Sequence, residues 1–102
     1  MTTILFYKNG FIIKDHANYD KSGSDLVCAG ISAIAFGTIN WFNKNMIVHL
    51  NIDETQPIIE FFIKLNKNAE VGLSLVKKQF LTIKKSYPKN LSVKLFNLSK
   101  YL

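Results

Sequence analysis

The chain has 102 residues, 48% of them hydrophobic, and a formal net charge of +6 from thirteen lysines against seven acids, with no arginine. That length suits one domain, residues 1–102, large enough to bury a core of its own. A single cysteine excludes an internal disulfide, and the start Met1-Thr2-Thr3-Ile4-Leu5 has no signal-peptide pattern, so the cytoplasm is the expected location.

Residues 3–8 and 11–16 are short apolar runs around Asn9-Gly10, a favoured hairpin dipeptide, which puts His16 at the end of the second strand. Residues 17–24 read as a loop by composition, and Ser24 or Asp25 offers a side-chain cap to a helix running to about Asn43. From Leu26 to Asn43 there is no charged residue, yet Ser32, Gly37, Thr38 and Asn40 argue against a membrane span. A helix apolar nearly all round is expected to be buried on several sides. Its small residues Ala29, Ala33 and Gly37 recur every fourth position, a stripe suited to close approach of a sheet, a second helix or a second copy.

Alternation over residues 46–52 predicts a strand with one polar-leaning face that carries His49. Residues 53–57 form a turn and 58–65 the returning strand. Residues 68–87 form a second helix with Leu73, Val76, Phe80, Ile83 and Tyr87 on one face, ended by Pro88. A last strand spans 91–96. The order ββαββαβ predicts an α+β domain with a mainly antiparallel sheet and two helices.

One constellation carries chemistry. Cys28 follows His16 by twelve residues and is expected in the first turn of the first helix, where the dipole favours a thiolate. A free cysteine is more often a small buried hydrophobe, and a lone histidine a surface residue. The short polar loop that brings the two within reach favours nucleophilic catalysis instead. Asp25, three residues before Cys28, suits a cap or a partner that orients His16; Ser32, one turn after, suits a hydrogen bond to substrate or to a backbone carbonyl. His49 is expected to face solvent. No zinc-ligand spacing and no glycine-rich phosphate loop is present, so neither metal nor cofactor is expected.

Residues 61–102 hold nine lysines and a single acid, Glu70. Lysines dispersed along the sequence, without arginine, fit solvated faces better than a nucleic-acid reader, so nucleic-acid contact is not expected.

The run His16-Ala17, then Ser24-Asp25-Leu26-Val27-Cys28-Ala29-Gly30-Ile31-Ser32-Ala33, closely resembles the ribosomal-processing cysteine proteases. Their pattern is Gly-His-Ala, a glycine-containing loop, then Gly-x-Asp-x-Val-Cys-Ala-x-x-Ser-Ala. Phe36-Gly37-Thr38-Ile39-Asn40 also looks like the family's helix. The resemblance implies a cytoplasmic, homodimeric cysteine endopeptidase. His16 and Cys28 match the catalytic dyad, and Asp25 and Ser32 the motif's aspartate and serine. Its implied substrate is the precursor of large-subunit ribosomal protein number twenty-seven, trimmed of a short N-terminal extension. Residues 17–24, with Asn18, Tyr19 and Gly23, match the family's substrate loop. Asp15 stands where the family has glycine, which adds a charge and a β-carbon beside the dyad. Tyr19 and Trp41 are candidates to line a groove for an aromatic-containing peptide, although Trp41 fits a core or dimer position better. The rival reading is a non-catalytic basic module that binds RNA or the ribosome.

Overall fold

The computed structural model describes residues 1–15 and 24–102, with Ser24 and Asp25 as backbone alone. Five strands and two helices follow the expected order: β1 Thr2–Tyr7, β2 Gly10–Lys14, α1 Ser24–Trp41, β3 Ile47–Asp53, β4 Ile58–Ile63, α2 Lys67–Ser86 and β5 Leu91–Leu95. The strands form one sheet in the order β3-β4-β2-β1-β5. Every pairing is antiparallel except β1 with β5.

Alternation decides which side chains make the core. Ile4 and Phe6, Phe11 and Ile13, and Ile59, Phe61 and Ile63 point from three neighbouring strands to the helix-covered face, where all are buried. The helices close over them with Val27, Ile31, Ala35 and Phe42 from α1 and Ala69, Leu73, Val76 and Phe80 from α2. Phe80 sits edge-on to both Phe6 and Phe11, with ring centroids 6.2 and 5.5 Å away. Asn66 caps α2 by accepting the Ala69 N–H at 2.8 Å, a satisfied first-turn donor.

The hairpin differs from expectation by one position. Tyr7 pairs with Gly10, so the two-residue turn is Lys8-Asn9 and Gly10 already lies in β2. Glycine is required there by its neighbour: a β-carbon would overlap the Phe61 carbonyl oxygen and stand 2.8 Å from Phe62 Cα. Asn9 is fully buried. Its Nδ2 donates to the Ile63 carbonyl at 3.1 Å and to the Lys100 carbonyl at 2.7 Å, while its Oδ1 accepts the Lys100 N–H at 2.9 Å. The C-terminal segment is thereby tied back onto the sheet face away from the helices, where Phe96 stacks on Tyr7 at 4.8 Å.

Helix α1 is not buried on several sides. Its inner face is Val27, Cys28, Ile31, Ala35, Thr38 and Phe42, whereas Ala29, Ala33 and Gly37 lie on the exposed side. The small-residue stripe therefore packs against neither sheet nor helix within the chain. Trp41 is not a core residue, being 66% exposed with its ring edge-on to Phe42. In β3 a bulge between Ile47 and His49 shifts the register. This edge strand leaves Leu50 and Ile52 exposed beyond the cover of the helices.

Candidate active site

One end of the sheet gathers the start of β1, the end of β2, the start of β4 and the start of β5. Thr2 pairs with Leu91, Thr3 with Lys14, and Lys14 with Ile58. The start of α1 lies at this end as well. Helix α2 runs to Ser86 just before β5, and a β-carbon at Gly30 of α1 would stand 3.3 Å from Ile83 of α2. The residue that precedes His16 and the helix that carries Cys28 thus converge on the same edge.

The chain leaves β2 through Asp15, which takes a φ of 58° in the left-handed region. Aspartate tolerates that region better than most residues, and glycine occupies it freely. This is the position where the resembled family carries glycine, a residue that adopts such a φ without steric cost. Thr2, 3% exposed, holds the corner: its Oγ1 donates to the Asp15 carbonyl at 3.4 Å, and its N–H donates to the Asn90 carbonyl at 3.2 Å.

Helix α1 begins at Ser24, which places Cys28 at the opening of the second turn rather than in the first. The first-turn amides of Ser24, Asp25 and Leu26 have no acceptor within the helix. Cys28 is 8% exposed, between Val27 and Ile31 on the inner face. Ser32 follows one turn later and is half-buried, so the two side chains share one flank of the helix as expected from their spacing.

A cavity of about 410 Å³ opens beside Asp15, lined by Lys14, Asp15, Thr55, Gln56, Pro57 and Ile58. Its far wall is the β3–β4 turn, fixed by Asp53. Oδ1 of Asp53 accepts the Thr55 hydroxyl at 2.7 Å, the Thr55 N–H at 2.9 Å and the Gln56 N–H at 3.2 Å. The Thr55 hydroxyl, followed by the two amides, holds the Asp53 carboxyl below its ordinary value.

His16, Asn18, Tyr19 and Gly23 fall outside the described residues, as does the side chain of Asp25. His49 lies elsewhere and is not the solvent-facing residue expected: its Nε2 sits 3.1 Å from Glu60 Oε1, and its ring stacks on Tyr101 at 3.9 Å. Among the described residues no cluster of histidine, cysteine and acid side chains could hold a metal ion, and no helix is long and apolar enough to cross a membrane. Sequence reasoning missed Thr2, and it placed the turn at 53–57 without connecting it to the site. Asp53-x-Thr55 was a legible turn signal, whereas Thr2 becomes visible only once β1 and β2 are in register.

A sheet-and-helix domain that sets its sole thiol near the start of a helix, beside the exit of a strand and an open cavity, has the frame of a thiol-dependent hydrolase. The family model for "Cysteine protease Prp" matches residues 1–92, and the chain belongs to that family. The ribosomal processing cysteine protease Prp of Mycoplasma pneumoniae is 37% identical over 78 residues, covering 76% of this chain and 77% of that protein. The Mycoplasma genitalium protein of the same name is 31% identical over 93 residues, covering 91% and 94%. Among solved structures, the Staphylococcus aureus Prp in complex with a substrate peptide superposes with a TM-score of 0.84 at 22% identity, over 94% of this chain and all of that one. That likeness shows the fold.

Proposed function

We propose that this chain is an endopeptidase that trims the N-terminal extension of large-subunit ribosomal protein number twenty-seven, with Cys28 as nucleophile and His16 as its base. The observation that carries the reading is the meeting of the β2 exit at Asp15 with the start of α1 at one edge of the sheet. Family membership over residues 1–92 and the names of the curated relatives support a role in ribosomal processing.

In this mechanism His16 takes the proton from Cys28, and the thiolate attacks the scissile carbonyl. The peptide C–N bond breaks as protonated His16 supplies the leaving amine, and water then releases the acyl group from sulfur. The unbonded amides of the first turn of α1 are the nearest helix donors for the oxyanion. Because Cys28 opens the second turn, those donors lie on its N-terminal side. Asp25 orients His16 or caps the helix, Ser32 donates to the substrate, and Asn18, Tyr19 and Gly23 belong to the loop that receives it. The cavity between Asp15 and the β3–β4 turn gives an extended peptide a place to lie.

The enzyme acts in the cytoplasm as a homodimer, which would cover part of the uncharged outer face of α1. There Leu26 and Trp41 are 62% and 66% exposed. The test is mass spectrometry of a peptide spanning the extension after incubation with the protein, beside a Cys28→Ala control. One cut that requires Cys28 is the expected result; no cut by the folded protein would overturn the reading.

A further inference from the structure

The lysines of the second half look scattered in sequence, and the helix gathers them. Around α2 the side facing α1 is marked by Gly72 against Trp41 and by Ile83 against Gly30. The opposite flank, with Glu70, Ser74 and Lys77, lines a cavity shared with the ends of β1 and β5. At about 100° per residue, Lys77, Lys78, Lys84 and Lys85 all project to that β5 side or outward. None projects toward α1. The two pairs stand seven residues apart, about 10 Å along the helix axis. Lys89, in the connection to β5, is exposed as well.

Among the described residues one carboxylate, Glu70, shares the Lys77 cavity, and it forms no ion pair with the strip. No acidic residue follows Glu70 in the chain, and among the described residues no carboxylate lies within ion-pairing distance of these lysines. Lys78 and Lys85 are exposed, while Lys77 and Lys84 lay half-buried stems along the helix. Beside them runs β5, an edge strand of the sheet.

We propose that the α2 flank formed by Lys77, Lys78, Lys84 and Lys85 is a docking strip for the phosphate backbone of RNA, separate from the peptidase site. Lysine ammoniums without arginine suit point-charge contact with phosphates rather than base reading, so the binding is independent of sequence and steeply salt-dependent. The choice of RNA over other polyanions rests on the ribosomal-processing reading above. Such a strip would hold the enzyme on a ribonucleoprotein particle while the opposite flank of the helix layer stays clear.

The experiment is fluorescence anisotropy of a labelled uridine-rich single-stranded RNA, with no peptide present, titrated with the full chain at several salt concentrations. The variant is Lys77→Gln with Lys78→Gln, Lys84→Gln and Lys85→Gln. Its control removes the same charge elsewhere: Lys14→Gln, Lys44→Gln, Lys64→Gln and Lys100→Gln. The expected result is an affinity loss on the order of tenfold or more for the strip variant, with the slope of log affinity against log salt smaller by about 0.7 per lysine. The control should lose far less. Equal loss in both variants, no binding at low salt, or equally tight binding of polyglutamate would overturn the proposal. Peptide cleavage by the strip variant, measured separately, stays at the wild-type rate, so failure of the strip and failure of the peptidase reading remain distinct results.

Discussion

The hydroxyl of Thr2 and the carbonyl of Asp15 lie 3.4 Å apart across the open end of the β1–β2 pair, and Asp15 turns there with a φ of 58°. A strand end and a left-handed corner together fix where the chain leaves the sheet for residue 16. Replacing Asp15 by glycine keeps that corner, whereas a β-branched residue resists it. Asp15→Val should therefore be less stable than Asp15→Gly by about 1–2 kcal/mol in urea denaturation. Equal stabilities would remove the conformational reason for glycine at this place in the family.

Asn9 is the second fixed point. Asn9→Ala leaves the Ile63 carbonyl and both backbone groups of Lys100 without their side-chain partner. The expected cost is about 2–3 kcal/mol, with faster amide exchange over residues 96–102 than elsewhere. Uniform exchange would mean that the tail is held by its ring contacts alone.

Gly10 answers to packing. In Gly10→Ala the new methyl meets the β4 backbone, which cannot yield without opening the β2–β4 pairing. Loss of about 3 kcal/mol or more is expected from such overpacking, read as a lowered denaturation midpoint. A change within about 0.5 kcal/mol would show that the strands can part locally at little cost.

Acid should weaken the fold through Glu60. The His49 hydrogen bond, helped by Asn51, holds its carboxyl below the ordinary value, against the opposing effect of burial. A lowered folded-state pKa contributes stability above the unfolded value, and that contribution is lost as pH falls through the folded value. Wild type should thus lose more stability than Glu60→Gln between neutral pH and the acid end of the carboxylate range. Parallel curves in denaturant titrations would contradict the pairing.

Much of the fold was legible because period-two and period-3.6 patterns are local: Leu73, Val76 and Phe80 were assigned to one face and are buried there. What was misread depends on neighbours distant in sequence. The Asn9-Gly10 pair looked like a turn because both residues favour one, yet Gly10 answers to Phe61 and Phe62, some fifty residues away. The Ala29, Ala33 and Gly37 stripe suggested close packing, but the larger Val27, Ile31 and Phe42 side chains take the core and turn the stripe outward. Cys28 and Ser32 were correctly placed on one helix flank, since their spacing alone fixes that. The cavity wall at Asp53–Pro57 could not be connected to the site until β4 was paired with β2.

In the proposed reaction Cys28 forms a covalent bond to the acyl half of the substrate. Peptide spanning the ribosomal-protein extension is mixed with excess enzyme, quenched in acid within the first turnover, and the intact protein is weighed. The expected product is a species heavier by the acyl fragment, mapped to the peptide that contains Cys28, absent in Cys28→Ala and depleted in His16→Ala. Cleavage that persists in Cys28→Ala with no such adduct would contradict it.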